Sequence, residues 1–367
     1  MKILYVTTVG MTMRFFESVI KKLTEAGHTV DLACNTKEYP VPDFYTENGY
    51  RVIDIDCERS VFSAGNLRAI GQIRAAVGEN GYDIVHCHTP IAGFCARAAC
   101  KKFRKNGLRV FYTAHGFHFY RGCPAKNRIV FYPAEKISAK RTDTLITINT
   151  EDFDFAKERF TSCRVEYIPG VGINTKRFRD RVTDRSAKRR ELGVPEDAFL
   201  LLSVGELNEN KDQGAVTDAL SMIEDKNVYY AIAGEGTMRE ALEEKIKSYG
   251  LSDRVFLLGQ RTDADELFKA ADLFVHPSHR EGLPVSLMEA KAAGLPCIVT
   301  DVRGCRDLYN AEADIMCRPG DPYGIAKAIE TAKVTIEERR TAAESADMSK
   351  YDSETVDRRI IELYEER

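Results

Sequence analysis

Short apolar runs that alternate with helical stretches are the feature that most constrains the fold of this chain. In the first half, strand-like runs occupy residues 3–6, 29–34, 84–87, 110–113, 145–148 and 165–168. Helical patterns cover residues 15–26, 91–102 and 127–139. Strands that alternate with helices form parallel sheets covered on both faces. The first half therefore predicts an α/β domain.

The second half repeats the same pattern. Its predicted strands are residues 199–204, 228–233, 255–258, 273–275 and 297–300, each followed by a helical segment. Residues 169–174 (P-G-V-G-I-N) separate the two patterns and have the composition of a hinge. We predict domains at 1–170 and 171–350, followed by a segment 351–367 with a helix at 356–364. Open α/β sheets bind ligands at the carboxyl ends of their strands, so a cleft between the domains is the expected site.

The composition excludes several classes of protein. The chain has 367 residues, 44% hydrophobic and 30% charged, which fits two ordinary soluble domains. No apolar run approaches the ~20 residues that span a bilayer, and residues 3–6 are too short for a signal peptide. The ten cysteines lack paired spacing and are typical of small buried residues in a reducing cytoplasm. His86 and His88 would share one strand face, with Cys87 on the other, so we expect no metal site there.

The segment H-R-E-G-L-P-V-S-L-M-E-A at residues 279–290 carries the strongest functional signal. Glu281 precedes a predicted helix, Glu289 lies inside it, and Pro284 fits its first position. Between the two carboxylates lie the unpaired amides of a helix N-terminus, which attract a phosphate. Hydroxyl groups that flank a diphosphate would match this pattern, as in a nucleotide sugar. The alternative is an ordinary helix with an acidic residue in its entry loop.

The surrounding turns support the first interpretation. The spaced glutamates, together with the turns A-G-E-G (233–236), L-G-Q (258–260) and H-P-S (276–278), resemble the second domain of family 4 retaining glycosyltransferases. This resemblance implies the GT-B fold: two Rossmann-like α/β domains that face a central cleft, with a C-terminal helix crossing back to the first domain. It also implies a set of donor-binding residues around Glu281, which contacts the donor sugar. The implied set is Lys211, Glu289, Gly205, Gly282, Leu283, Pro284, Val285 and Arg261.

Two further segments resemble the first domain of EpsD-type enzymes, which build exopolysaccharide or capsule repeats on a polyprenyl carrier. They are H-C-H-T-P at 86–90 and Y-T-A-H-G-F-H-F-Y-R-G at 112–122. The resemblance implies that His115 orients the donor sugar and that Gly10 allows close approach of backbone to the diphosphate or acceptor.

One position departs from the family pattern. The arginine that usually follows the glycine of the first strand in the second domain is Glu206 here. Lys211 and the helix amides would then neutralise more of the diphosphate charge, with Asn208 and Asn210 as further donors.

Positive charge is concentrated in one region. Residues 97–141 contain twelve lysines and arginines against one acid, Glu135, with aromatic residues interleaved. This pattern is typical of a membrane-surface segment that attracts anionic lipid. A solvated basic surface is the alternative. Nucleic acid binding is not expected because no nucleic-acid motif accompanies the charge.

The sequence thus predicts a retaining glycosyltransferase, cytoplasmic and peripheral on the inner face of the cell membrane. It would move a sugar from a nucleoside-diphosphate sugar, with UDP favoured, to a polyprenyl-diphosphate-linked saccharide. We expect no metal or other cofactor, and no pattern in the sequence sets an oligomeric state. The alternatives are a nucleotide-sugar epimerase of the same fold and a non-catalytic partner subunit of a membrane glycosyltransferase complex.

Overall fold

The computed structural model describes residues 1–366 and divides the chain into two compact α/β units. The first unit is Met1–Gly172 together with the segment from Ser353 onward, and the second is Ile173–Asp352. Each unit has a fully parallel sheet. In residues 1–366, no helix combines the length and apolar composition needed to cross a bilayer.

The first unit is built on a sheet of seven strands in the order β3-β2-β1-β4-β5-β6-β7. Its strands are β1 (Lys2–Val9), β2 (Thr29–Asn35), β3 (Val52–Asp54), β4 (Ile84–His88), β5 (Arg109–Ala114), β6 (Thr144–Thr147) and β7 (Arg164–Tyr167). The connecting helices are α1 (Glu17–Glu25), α2 (Asp43–Glu47), α3 (Ala64–Asn80), α4 (Pro90–Cys100), α5 (Ala125–Ala139) and α6 (Thr150–Arg159). Short 3₁₀ segments occupy Gly10–Phe16 and Phe103–Asn106. Strands β1 and β4 are buried almost throughout, as expected for central strands covered on both faces.

The second unit has six strands in the order β10-β9-β8-β11-β12-β13. They are β8 (Phe199–Val204), β9 (Val228–Ala233), β10 (Val255–Gly259), β11 (Leu273–His276), β12 (Cys297–Thr300) and β13 (Ile315–Cys317). Its helices are α7 (Thr175–Arg179), α8 (Arg185–Glu191), α9 (Gln213–Met222), α10 (Arg239–Ser248), α11 (Ala264–Ala270), α12 (Val285–Ala292), α13 (Cys305–Leu308), α14 (Pro322–Val334) and α15 (Ile336–Glu344). Strands β8 and β11 are neighbours at the centre of the sheet, so the loops that follow them meet at its carboxyl edge.

The last helix, α16 (Ser353–Glu365), follows a 3₁₀ turn at Ser349–Tyr351 and belongs to the first unit. It packs against α1, and its Val356, Leu363 and Tyr364 join the apolar core on that side of the first sheet. The Tyr364 hydroxyl lies 2.8 Å from the Tyr5 hydroxyl on β1. The return of the C-terminal helix to the first domain is confirmed.

Some elements differ from the sequence prediction. The sequence did not predict α3, α6 or β13, and Pro284 is the N-cap of α12 rather than its first residue. Helix α3 contains Gly71 and Gly78, which lower its helix propensity, although its buried Ala69, Ile73, Ala76 and Val77 recur at helical spacing. Strand β13 is only three residues long.

Candidate active site

The loops after β8 and β11 bring Lys211, His276 and Glu281 together. His276 is the last residue of β11, and Glu281 lies in the loop that leads to α12. The Lys211 Nζ atom is 2.7 Å from Glu281 Oε1, and His276 Nε2 is 3.0 Å from the same oxygen. One carboxylate oxygen therefore joins a cation and an imidazole at the carboxyl edge of the sheet.

Glu281 is held in its ionised form. Burial alone would raise the pKa of its carboxyl group, but the hydrogen bond from His276 and the positive charge of Lys211 lower that pKa to about 2. Burial lowers the pKa of His276, and the hydrogen bond to Glu281 partly offsets this lowering. Neutral His276 then donates its Nε2–H to the carboxylate, which can only accept. At neutral pH the cluster contains one cation and one anion.

Hydrogen bonds between the two loops fix the position of Lys211. The His279 backbone N–H donates to the Asn210 carbonyl at 2.8 Å, and Asn210 Nδ2 donates to the Arg280 carbonyl at 2.9 Å. His279 Nε2 lies 2.8 Å from Asp212 Oδ2. Asn208 Oδ1 accepts from the Lys211 backbone N–H at 3.0 Å. Asn208 and Asn210 thus bond within these loops, and their action as phosphate donors stays a prediction.

Asp212 has an unusual backbone conformation beside this cluster. Its φ of 47° is in the left-handed region, and its side chain caps the N-terminus of α9. Asp tolerates this region better than most residues because its short side chain bonds locally. The strained residue directly follows Lys211, and such strain is commonly retained at functional sites.

Gly205 lies beside the Lys211 side chain, and its φ of 153° favours glycine at this position. A Cβ at Gly205 would lie 3.7 Å from Lys211 Cε. Gly234, at the end of β9, is still more constrained, because a Cβ there would come within 1.9 Å of the Gly205 carbonyl oxygen. The glycines that end β8 and β9 thus let two backbone segments pass closely under the lysine.

Helix α12 begins directly after this loop. Pro284 is its N-cap and offers no side-chain acceptor, so no side chain caps the first-turn amides. Pro284 also has no N–H, so of the predicted set only the amides of Leu283 and Val285 can donate. Leu283 is buried, while Val285 and Glu289 are partly exposed on the helix. A short loop thus connects the charged cluster to an N-terminus that could receive an anion.

Three other residues of interest lie around this cluster. Gly282 follows Glu281 directly, and a Cβ at Gly304 would come within 2.3 Å of the Gly282 carbonyl oxygen. Arg261 instead pairs with Asp263 at 2.6 Å and with Glu191 at 2.7 Å. Glu206 is exposed, and its backbone carbonyl accepts from Gln213 Nε2.

The first unit carries a chain of histidines at the carboxyl ends of β4 and β5. His88 Nδ1 lies 3.1 Å from His115 Nε2, and the ring of Phe16 stacks on His88. His86, on the same strand face, contacts the Tyr364 hydroxyl, and its Nε2 is 2.8 Å from Thr113 Oγ1. Burial lowers the pKa of His86 to about 3 and that of His115 to about 4. These rings are therefore neutral at physiological pH.

The hydrogen-bond network assigns the protons of the His88–His115 pair. His88 Nε2 is buried without a hydrogen-bond partner. A proton there would leave a buried donor unpaired, at a cost of about 1–3 kcal/mol. His88 therefore carries its proton on Nδ1 and donates to His115 Nε2. His115 is left with its proton on Nδ1.

Gly10 has a packing role in the structure. It follows β1, and a Cβ there would come within 2.5 Å of the Tyr39 carbonyl oxygen and 2.6 Å of the Val41 nitrogen. Any side chain at this position would collide with the backbone of residues 39–41, and the approach of Gly10 to a ligand stays a prediction. In residues 1–366, no group of three His, Cys, Asp or Glu residues is placed to hold a metal ion.

The fold defines a class. A solved structure, Anabaena Alr3699/HepE in complex with UDP and glucose, superposes with a TM-score of 0.82 at 19% identity and 100% coverage of both chains. The protein therefore has the GT-B fold of two Rossmann-like domains.

Sequence comparisons then give the family. A glycosyl transferase 4-like model matches residues 2–149, and a glycosyl transferases group 1 model matches residues 184–347. A Bacillus subtilis (strain 168) protein, named as the glycosyltransferase EpsD, is 36% identical over 336 residues, which cover 90% of this chain and 86% of that protein. An Escherichia coli UDP-Gal:alpha-D-GlcNAc-diphosphoundecaprenol alpha-1,3-galactosyltransferase is 29% identical, covering 70% and 67%. The chain belongs to the family 4-like glycosyltransferases.

Sequence reasoning missed three residues of these clusters. His276 begins the H-P-S turn. Its position at the carboxyl end of a predicted strand is the signal that could have identified it. Asp212 follows Lys211 and ties the two loops together through His279. The sequence places His88 beside His86 on one strand face, but the pairing of His88 with His115 depends on two adjacent parallel strands that the sequence does not align.

Proposed function

We propose that the enzyme is a retaining glycosyltransferase that uses a nucleoside-diphosphate sugar, with UDP favoured, and a polyprenyl-diphosphate-linked saccharide as acceptor. The main observation in support of a nucleotide-sugar donor is the ionised Lys211–Glu281 pair beside the first turn of α12. Support for the acceptor comes from the E. coli relative, whose name specifies a diphosphoundecaprenol-linked sugar.

In this proposal the leaving diphosphate lies between Lys211 and the amides of Leu283 and Val285. Negative charge grows on the diphosphate as the glycosidic bond breaks, and preorganised donors stabilise that charge most strongly in a site that excludes water. Glu281 holds Lys211 in place until the diphosphate binds. No metal ion is required by this arrangement, because the lysine and the helix N-terminus supply positive charge.

The two glutamates have different proposed roles. Glu289, partly exposed on α12, accepts hydrogen bonds from the ribose hydroxyls, which a carboxylate can do with two oxygens. Glu281 accepts from a hydroxyl of the donor sugar. His115 of the first unit donates from its Nδ1–H to the donor sugar, in the tautomer that His88 imposes. Retention of configuration follows from the family resemblance.

A transfer assay tests this proposal. The purified protein is incubated with UDP- and GDP-sugars and with lipid-diphosphate saccharides, and NMR gives the anomeric configuration of the product. We expect transfer from a UDP-sugar with the donor configuration retained. Donor hydrolysis or epimerisation without acceptor glycosylation, or an inverted product, would contradict the proposal.

The enzyme is also proposed to work on the inner face of the cell membrane through helix α5. The exposed side chains of this helix and of its C-cap combine cations with apolar groups along one face, namely Lys126, Ile129, Val130, Lys136, Ile137 and Lys140. Exposed basic residues near anionic lipid contribute about 1 kcal/mol each. Three arginines of the basic region are instead used inside the fold. Arg97 pairs with Glu135, Arg104 with Asp143, and Arg109 binds backbone carbonyls of the C-terminal segment.

Vesicle flotation tests the membrane contact. Replacing Lys126, Lys136 and Lys140 with glutamate should greatly reduce binding to phosphatidylglycerol vesicles, and salt should weaken the parent's binding. The control changes three exposed lysines of the second unit, Lys226, Lys247 and Lys327, in the same way. Equal loss in both variants would indicate a general effect of net charge.

A further inference from the structure

An apolar groove lies between three helices of the first unit and has no role in the transfer chemistry. It encloses about 430 Å³. Its walls include Leu67 and Ile70 of α3, Ile91 and Phe94 of α4, and Val130 and Phe131 of α5. Phe62 also lines the groove and is 90% exposed, while Leu67 is 74% exposed. Large apolar side chains left open to water in one contiguous patch mark a binding surface.

The polar groups that reach the groove are already satisfied. Glu135 pairs with Arg97 at 2.8 Å and accepts from the Tyr112 hydroxyl at 3.2 Å. The side-chain amide of Asn66 bonds to the backbone of Glu58 and Ser60. A peptide would need hydrogen-bond partners for its own backbone all along the groove, whereas most of the lining is apolar and Glu135 and Asn66 already bond within the protein. The groove therefore suits a hydrocarbon chain.

A smaller polar pocket of about 280 Å³ continues from one end of the groove. The two share Val61, Pro90, Ile91 and Phe131 as lining residues. The pocket adds Thr12, the mutually bonded hydroxyl groups of Thr8 and Thr89 (2.7 Å apart), and the cation Arg59. Arg59 lies over the Tyr39 ring and forms no ion pair with any residue in the described range 1–366. Its charge is thus available to an anionic ligand.

These two surfaces match the two ends of one amphiphile. We propose that the groove binds the first isoprenoid units of a prenyl diphosphate carrier, and that the diphosphate lies in the polar pocket near Arg59. The inference rests on the proposed function and adds a binding site for the carrier itself. Val130 belongs both to the groove and to the exposed apolar face of α5, so a chain that leaves the groove continues along the surface proposed to contact lipid.

A fluorescence titration tests the site directly. The chain contains no tryptophan, so Phe62→Trp introduces a single reporter at the groove. Geranylgeranyl diphosphate should shift its emission to shorter wavelength in a saturable way, and inorganic pyrophosphate should not. The matched control is Tyr323→Trp, an exposed aromatic position in the second unit, whose emission should stay unchanged.

Three outcomes of this titration would overturn the inference. One is the absence of a saturable shift in Phe62→Trp. Another is an equal shift in Tyr323→Trp. The third is a shift that appears with phosphatidylglycerol vesicles but not with geranylgeranyl diphosphate, which would make the groove a bilayer contact.

A kinetic test separates the groove from the transfer chemistry. Leu67→Glu places a charge in the groove at an exposed position. The ratio of kcat/KM for a long-prenyl acceptor to kcat/KM for the same saccharide diphosphate on a short alkyl chain should fall at least tenfold. Val334→Glu, at a position 87% exposed in the second unit, should leave this ratio unchanged.

The two proposals can fail separately. If the parent enzyme transfers sugar but Leu67→Glu leaves the ratio unchanged, the groove does not bind the chain and the proposed function stands. If the parent glycosylates neither acceptor while Phe62→Trp still binds geranylgeranyl diphosphate, the proposed function fails and the groove remains a prenyl diphosphate site.

Discussion

The two candidate clusters of this chain lie at equivalent ends of parallel sheets, yet they differ in charge. In the second unit, Lys211 and Glu281 form an ionised pair that His276 supports. In the first unit, His86, His88 and His115 are neutral rings that hydrogen-bond to hydroxyls and to one another. Burial disfavours charge in both places. The contrast shows that a buried charge persists where a partner of opposite sign lies within hydrogen-bonding distance, and is lost where the neighbours are neutral.

Lys211→Ala breaks the charged side of this comparison and should have the largest effect. It removes the cation proposed to face the leaving diphosphate, so kcat/KM should fall by roughly 10²–10³-fold. Lys226→Ala, an exposed lysine of the same unit, is the control. Thermal unfolding should show that the variant is folded, since Lys211 lies in a loop. Activity within tenfold of the parent would remove Lys211 from the mechanism.

His88→Leu tests the neutral histidine cluster of the first unit. It removes the donor that fixes the His115 tautomer, and losses of this kind cost about 10–100-fold where an outer residue orients a functional histidine. We expect kcat to fall by that amount while the affinity for UDP is unchanged, because the proposed nucleotide site is in the second unit. His88→Asn can still donate a hydrogen bond and should recover most of the rate. Equal losses in both variants would indicate a packing role only.

The pH profile of kcat sharpens the same contrast. The pKa of His115 is lowered to about 4, so the ring stays neutral as the pH falls below the ordinary value of 6.5. If neutral His115 is required, kcat on the acidic side of the profile should be constant between pH 7 and pH 5. It should then fall as the pH approaches 4. A bend near pH 6.5 that disappears in His115→Ala would contradict the buried, neutral assignment.

Glu206→Arg should have the smallest effect, in the opposite direction. It restores the cation that the family usually has beside Gly205, at a position that is exposed and tolerant of a long side chain. A charge-assisted contact with the diphosphate should tighten UDP binding by up to about tenfold, or 1.4 kcal/mol. Glu209→Arg makes the same charge change in the same loop and is the control. Equal tightening in both variants would indicate long-range attraction only.

Sequence patterns predicted the strands better than the clusters. Strands β8, β9 and β12 begin and end at the predicted residues because central parallel strands are continuous apolar runs bounded by turn residues. Helix α3 was not predicted, although Ala69, Ile73, Ala76 and Val77 recur at helical spacing, and its side of the apolar groove was missed with it. The pairing of Lys211 with Glu281 follows from β8 and β11 being neighbours, and strand order is not written in local composition.

Gly10 and Arg261 illustrate a second limit. Each matched a position that the resemblance linked to the donor, but the structure gives both other contacts, with the backbone of residues 39–41 and with the carboxylates of Asp263 and Glu191. Such contacts depend on long-range packing. A motif can therefore identify a loop correctly while leaving open which of its side chains face a ligand.

The return of helix α16 to the first unit has a consequence for the order in which the protein is made. Tyr364 contacts Tyr5 and His86, so residues nearly a whole chain apart share one buried network. On the ribosome, segment 353–365 emerges only after all of the second unit has been synthesised. The first unit, although synthesised first, is therefore the later of the two to complete its core. The contact between His86 and Tyr364 can form only after the second sheet has been translated.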